Sequence, residues 1–186
     1  VLAKMVSTVD VISKGRIELG IGAGNYEAEA VAYGIQFPRA SERIARLAEA
    51  VQILKKMFTE DRASFEGRYY EVRDAINIPK PLQKPNPPIY VGICHGTRVL
   101  PRLVADYADG VNLGVSSKSL MLEIMDAVRK RCKEIGRDYN KVLVSWEGAI
   151  LLGRDSNDLD AKLRVIATQR NKDVESVRQE LISSGN

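Results

Sequence analysis

The nine residues Arg16-Ile-Glu-Leu-Gly-Ile-Gly-Ala-Gly24 combine a strand pattern with a glycine-rich end. Apolar residues at every second position, from Ile17 to Ile21, predict a short strand. The glycines at its carboxyl end let the backbone approach a ligand closely or adopt a positive φ. Position 25 is Asn, so the stretch is not a GxGxxG dinucleotide fingerprint. It therefore indicates either a cofactor contact or a tight strand-to-helix turn without a ligand.

Helical and strand patterns alternate outward from this strand. The first helix is expected to end with a C-cap at Gly15, and the last helical region is expected to start with an N-cap at Ser156 or Asp158. The predicted elements are a helix over 2–12, a strand over 17–21, helices over 25–33 and 41–58, a hairpin over 64–77, a strand over 89–93, a helix over 99–107, a strand over 111–113, a helix over 118–135, a strand over 142–152 and broken helical patterning from 158 to 183. After the first helix, strand and helix thus alternate four times, which implies parallel strands and an α/β sheet or barrel.

Composition and charge argue against several classes of protein. The net charge of +4 comes from 28 basic and 24 acidic residues interleaved along the chain, without a basic arm or an RNA-binding motif, so nucleic-acid binding is not expected. Cys94 and Cys132 make no metal-ligand spacing, which predicts no metal site and a reduced, cytoplasmic protein. No run of eighteen apolar residues occurs, so no membrane segment is expected.

Longer motifs resemble one known family. Residues 10–24, followed by Gly34-Ile-x-Phe-Pro38 and Arg43-x-x-Arg-Leu-x-Glu-Ala50, are similar to the bacterial luciferase-like monooxygenase superfamily. The resemblance continues in order through Phe65-Glu-Gly-Arg-Tyr-Tyr70 and Tyr107-Ala-Asp-Gly-Val-Asn112. The short motifs look most like the branch that uses the deazaflavin coenzyme F420, which includes methylenetetrahydromethanopterin reductases.

The resemblance implies a (β/α)8 TIM-barrel fold. The four predicted strands resemble the fourth to seventh strands of such a barrel. The 186 residues are fewer than the roughly 250 of a complete barrel. The expectation is therefore one luciferase-like domain over residues 1–186, a partial barrel truncated at both ends.

The resemblance also implies where a cofactor binds, because barrel enzymes build their sites at the carboxyl ends of the strands. The expected contacts are Gly22, Gly24 and Asn25 in the first loop, Gly92, Ile93, His95 and Gly96 in the second, and Lys118 beyond the third strand. Backbone N–H groups of the second loop are expected to hold the cofactor's phosphate, with a packing turn as the alternative. No catalytic residue is assigned, because much of the pocket around the reactive ring comes in the family from strands without a counterpart here.

Three functions follow from the resemblance. The first is an oxidoreductase that transfers a hydride between F420 and a small organic substrate. The second is an FMN-dependent monooxygenase, and the third is a flavin-binding or assembly subunit without catalysis. Gly92 is followed by Ile93 where many members have a second glycine, and Asn25 replaces a frequent aromatic, so the cofactor's identity stays open. The family habit is a homodimer, and open strand edges predict that this chain self-associates.

Overall fold

The computed structural model describes residues 1–115, 117–148 and 150–185, with side chains up to residue 181. Its elements are α1 (Leu2–Ser13), β1 (Leu19–Ile21), α2 (Glu27–Ala32), α3 (Ala40–Thr59), β2 (Ala63–Glu66), β3 (Glu71–Ala75), β4 (Ile89–Ile93), α4 (Val99–Tyr107), β5 (Gly110–Leu113), α5 (Lys118–Glu134), β6 (Leu143–Trp146), α6 (Ser156–Arg170) and α7 (Val174–Gly185). The order confirms the predicted alternation of strands and helices after the first helix.

Four strands form the main sheet, in the order β1-β4-β5-β6, and every neighbouring pair is parallel. Strands β2 and β3 form a separate antiparallel hairpin, as predicted for residues 64–77. The four strands of the main sheet follow one another in the same order in the sheet as along the chain. Consecutive strands of a (β/α)8 barrel are arranged in this way.

The two faces of the sheet differ in chemistry because successive strand residues point to opposite sides. The face toward the helices carries Ile89, Val91 and Ile93 from β4, all fully buried. Other core side chains come from α3, α4, β5 and α5, and include Val51, Phe58, Val104, Val111, Ile124 and Val128. The opposite face carries glycines and polar side chains, among them Gly20 and Asn112. The main hydrophobic core therefore lies on the helix side of the sheet, and a smaller cluster of Leu163, Ala167 and Val177 joins α6 to α7.

Strands β1 and β6 are shorter than predicted. The expected strand over 17–21 begins at Leu19, because its partner β4 begins only after Pro88, whose carbonyl accepts the Leu19 N–H at 2.8 Å. The expected strand over 142–152 covers only Leu143–Trp146, because its partner β5 ends at Leu113. Ala149, within that prediction, lies outside the described residues.

Two predicted helix caps were wrong by one to three residues. Lys14, not Gly15, is the left-handed C-cap of α1, with φ 59°, and Gly15 continues the turn with φ 75°. Asp155, not Ser156 or Asp158, is the N-cap of α6. Its carboxylate accepts the Asp158 N–H at 2.8 Å. The Asp158 carboxylate in turn accepts the Arg154 N–H at 2.9 Å, so the two acids cap the helix start together.

The hairpin is attached to α3 by one carboxylate. Glu49 accepts the backbone N–H groups of Arg68, Tyr69 and Tyr70 at 2.8–2.9 Å. A Cβ at Gly67 would lie 2.5 Å from a Glu49 carboxylate oxygen, so a side chain at this position would displace the carboxylate from the turn. Glu49 therefore fixes the position of the hairpin relative to the main sheet.

Replacing Glu49 by alanine is expected to lower the free energy of unfolding by about 1–2 kcal/mol, because three N–H groups lose a charged acceptor at a half-buried site. Amide hydrogen exchange at Arg68, Tyr69 and Tyr70 should become faster in the same variant. Glu66→Ala, an exposed glutamate on β2, is the matched control and should change neither quantity. Unchanged exchange at all three amides in Glu49→Ala would contradict this role.

Among the described residues, no helix is long and apolar enough to cross a bilayer.

Candidate functional site

The carboxyl edge of the parallel sheet brings the predicted loops together. Ile21 pairs with Val91, so the first loop after β1 and the second loop after β4 begin side by side. Strand β5 pairs with β4 on its other side, which places the connection toward α5 at the same edge. This common edge is where α/β barrels place their ligands.

Three of the predicted contacts line one cavity. Gly22, Gly24 and Asn25 border a cavity of about 680 Å³ between the first loop, α2, α3 and the hairpin. Gly24 has φ 79°, a conformation that favours glycine. A Cβ at Gly22 would meet no atom within 4 Å, so the space above this residue is open.

The other predicted contacts lie along the same edge but do not border this cavity. Gly92 sits beside Asn112 of β5, and a Cβ there would meet only a backbone oxygen at 4.0 Å. His95 and Gly96 are exposed in the second loop. Lys118 is exposed at the first position of α5 and forms no ion pair with the described residues. Whether these groups touch a cofactor stays a prediction.

Ile93 differs from the other predicted contacts. Its side chain is fully buried among the core residues on the helix side of the sheet. Only its backbone is therefore placed to meet a ligand at the edge.

The walls of the cavity include residues that the sequence reasoning did not select. Aromatic rings and two arginines surround the opening, namely Tyr26, Tyr33, Phe37, Tyr70, Arg43 and Arg46. The Arg-x-x-Arg motif on α3 was visible in the sequence as part of the family resemblance. Its three-residue spacing places both arginines on one side of a helix, which is the signal that could have identified them.

Arg43 fixes both ends of the segment over 25–37, which borders the cavity. Its guanidinium donates to the carbonyl of Ala23 at 3.2 Å and of Gly24 at 3.4 Å, on the incoming side. On the outgoing side it donates to the carbonyl of Pro38, and it lies 3.8 Å from the centre of the Phe37 ring. One side chain thus sets the conformation of the glycine loop and the base of the segment that follows it.

Arg46 is held on the same wall. It pairs with Glu42 at 2.7 Å and lies 5.1 Å from the centre of the Tyr69 ring. The hydrogen bond that Arg46 donates to the Glu42 carboxylate raises the pKa of Arg46 above its already high ordinary value. The charged form of Arg46 is therefore favoured further at this wall.

The sheet face away from the core carries two polar contacts, one at the amino end of the strands and one toward the carboxyl edge. The Tyr90 hydroxyl donates to the Glu18 carboxylate at 3.3 Å. The Asn112 side-chain amide donates to the Ser145 hydroxyl at 3.0 Å. The layer nearest the edge thus consists of glycine backbone on β4 and an Asn–Ser pair on β5 and β6, a floor that offers hydrogen-bonding groups.

Tyr90 is expected to titrate above the ordinary tyrosine value of about 10. Burial raises the pKa of Tyr90, and the adjacent Glu18 carboxylate raises it further. Because the folded state favours the neutral phenol, this contribution to stability is complete below about pH 10 and is lost as the pH rises through the raised pKa. In a phenolate absorbance titration, Tyr90→Phe should remove a late transition, and Glu18→Gln should move that transition to lower pH. Loss of an ordinary transition near pH 10 in Tyr90→Phe would contradict the assignment.

Within the part of the chain that the structure describes, no group of three His, Cys, Asp or Glu side chains could hold a metal ion. Cys94 and Cys132 are both free thiols, the first exposed and the second buried.

Comparison with known proteins gives one family and several enzymes. A family model described as luciferase-like monooxygenase matches residues 1–184. An F420-dependent glucose-6-phosphate dehydrogenase of Amycolatopsis mediterranei is 32% identical over 133 residues, which span 70% of this chain and 38% of that protein. An FMNH2-dependent dimethylsulfone monooxygenase of Pseudomonas putida is 37% identical over 90 residues, 48% of this chain and 25% of that protein. The chain thus spans less than half the length of these curated relatives.

Solved structures share the fold. The coenzyme F420-dependent tetrahydromethanopterin reductase of Methanopyrus kandleri superposes with a TM-score of 0.74 at 19% identity, over 96% of this chain and 57% of that one. The monooxygenase RslO1 of Streptomyces bottropensis gives a TM-score of 0.71 at 22% identity, over 98% and 53%. At these identities the likeness concerns the fold alone, and it confirms the predicted partial barrel.

Proposed function

Because this chain belongs to the luciferase-like monooxygenase family, we propose that the protein is an oxidoreductase that transfers a hydride between coenzyme F420 and a small organic substrate. The observation that carries the proposal is the 32% identity over 133 residues to a curated F420-dependent dehydrogenase. The proposed reaction is that of a whole family protein, because this chain spans only 38% of that dehydrogenase.

The residues at the carboxyl edge fit such a cofactor. The open space above Gly22 and Gly92 leaves room for a flat or chain-like group directly against the backbone. The second loop, with Gly96 at φ 89°, precedes α4, whose N-terminal end has no side-chain cap. Free N–H groups at a helix start favour a phosphate.

The chain's own residues would bind and orient, while the bound coenzyme supplies the hydride chemistry. Gly22, Gly24 and Asn25 would hold the cofactor in the first loop, and the N–H groups around His95 and Gly96, with Lys118, would hold its phosphate. Arg43 would keep the first loop in a fixed conformation through its three backbone contacts. The aromatic walls of the cavity would exclude water from that side of the site.

To test the proposal, the protein is isolated in the form that its cell makes and is titrated with F420 and with FMN. Turnover is then assayed. Tighter binding of F420 than of FMN, with F420-dependent oxidation or reduction of a small organic compound, is the expected result. Preference for FMN would favour the second candidate, an FMN-dependent monooxygenase, which the 37% identity to the Pseudomonas putida enzyme supports. Cofactor binding without turnover would point to the non-catalytic subunit.

We also infer that two copies associate and that the protein is cytoplasmic. Strands β1 and β6 lie at the ends of the described sheet, and α1 exposes Met5, Val9 and Ile12, with Ile12 74% exposed. Open edges and exposed apolar side chains favour pairing with another chain. The two free thiols suit a reducing compartment.

The 186-residue chain is expected to run as a dimer or larger species in size-exclusion chromatography with light scattering. Met5→Lys together with Ile12→Lys, two exposed positions on α1, should shift it toward the monomer. Replacing the exposed Val165 of α6 by Lys is the matched control and should leave the mass unchanged. A compact monomer at all concentrations would contradict self-association.

A further inference from the structure

A basic groove lies between α4 and α5. It has a volume of about 390 Å³ and is lined by Thr97, Arg98, Arg102, Lys130, Arg131 and Glu134, together with small apolar side chains. Four cationic side chains therefore share one concave surface with a single carboxylate.

Three of these cations have no partner in the part of the chain that the structure describes. Arg131 donates to Asp106 at 2.7 Å and pairs with Glu134 at 3.2 Å, so its charge is compensated. Arg98, Arg102 and Lys130 form no side-chain hydrogen bond or ion pair with the described residues. Like charges gathered in a concave surface repel each other and raise the local positive potential, which an anion would relieve.

The groove continues from the predicted phosphate loop. Thr97 and Arg98 line the groove and directly follow Gly96 of the second loop in the sequence. Arg102 lies one turn further along α4, and Lys130 faces it from α5. A ligand whose phosphate is held at the second loop would therefore meet these cations if it carried further negative charge beyond that phosphate.

We propose that this groove binds the carboxylate-bearing tail of the cofactor. The proposal rests on the proposed function, in which F420 is the cofactor. F420 continues from its phosphate through a lactyl group into glutamate residues, whereas FMN ends at its phosphate. The three cations, which have no partner among the described residues, complement such a chain of carboxylates in sign. The groove thereby makes affinity depend on the tail, a contribution that FMN does not receive.

The test compares two forms of the coenzyme. One carries the glutamate tail, and the other ends at the lactyl phosphate, so both present the same ring and the same phosphate. The groove variant is Arg98→Gln, Arg102→Gln, Lys130→Gln. The matched control is Lys4→Gln, Lys133→Gln, Lys141→Gln, which removes the same charge at exposed positions outside the groove. Dissociation constants are measured by the change in coenzyme fluorescence.

The tail-bearing form is expected to bind the groove variant about tenfold more weakly than the wild type, since each exposed ion pair contributes modestly. The form without glutamates should bind both proteins alike, and the control should bind both forms as the wild type does. Equal weakening of both forms, equal weakening by the control, or no weakening at all would overturn the groove assignment while leaving F420 as cofactor. Failure of the wild type to bind either form would overturn the proposed function and this inference with it.

Discussion

Replacing Asp10 by alanine is expected to lower the free energy of unfolding by about 3 kcal/mol or more, which is a large part of the stability of an ordinary domain. The Asp10 side chain is fully buried. Its carboxylate accepts the backbone N–H groups of Leu82 and Gln83 at 2.7 and 3.0 Å and the Gln83 side-chain amide at 2.8 Å. Alanine would leave these donors buried without an acceptor.

The effect should extend beyond α1. The same Gln83 amide donates to the carbonyl of Ile17 at 2.8 Å, so Asp10 and Gln83 together join α1, the start of the first strand and the proline-rich segment before β4. Urea denaturation followed by circular dichroism measures the loss. Asp10→Asn retains one acceptor and should recover part of it, whereas Asp126→Ala, at an exposed pair on α5, should cost less than about 0.5 kcal/mol. A loss in Asp10→Ala no larger than in Asp126→Ala would contradict the role of the buried carboxylate.

The family motifs were visible in the sequence, but the long-range contacts of their acidic residues could not be predicted from it. Asp10, Glu49 and Asp109 each lie in one of the motifs that carry the family resemblance. Asp109 accepts from the Lys55 ammonium at 2.7 Å, from the Asn86 amide at 2.9 Å and from the Ile89 N–H at 3.0 Å. All three acids bind groups at least nineteen residues away along the chain. Periodicity reports neighbours within one helix or strand, so it cannot identify such partners.

Periodicity predicted the elements better than their ends. Strand ends depend on where the partner strand stops, as at Trp146, which pairs with the last residue of β5. The reason for a glycine at position 110 could not be predicted from the sequence either. In the sequence, Asp-Gly is typical of a turn. In the structure, a Cβ at Gly110 would lie 2.7 Å from the Tyr90 ring and 2.8 Å from the Leu143 carbonyl oxygen, so glycine is required by close packing between strands.

The site was predictable to the extent that it follows from topology. Parallel strands must place the first and second loops at one edge, and they do. The aromatic cavity was not predictable in the same way, because Tyr70 of the hairpin and Tyr33 beyond α2 reach it from segments far apart in sequence. Ile93 was selected as part of the second loop, yet strand alternation with Ile89 and Val91 assigns its side chain to the core.

Replacing Gly22 by valine is expected to weaken cofactor binding by about a hundredfold without unfolding the protein. A Cβ at Gly22 would meet no atom within 4 Å, and its φ is not in the left-handed range, so the fold has room for a side chain. Gly22 lies one residue beyond β1 and outside its pairing with β4, so the valine disturbs no strand pair. Three added carbons would instead occupy the space that the proposal gives to the cofactor, and overlap of this kind costs up to about 3 kcal/mol, which is roughly a hundredfold in affinity.

Gly20→Val is the control for this substitution. Gly20 lies within β1, two residues before Gly22 and further from the edge, and a Cβ there also meets nothing within 4 Å. Isothermal titration with F420, beside thermal unfolding of both variants, separates the two effects: Gly22→Val should lose binding at an unchanged melting temperature, and Gly20→Val should keep both. Wild-type affinity in Gly22→Val would mean that the first loop is a strand-to-helix turn without a ligand, and the cofactor would then have to be held by the second loop and the connection to α5 alone.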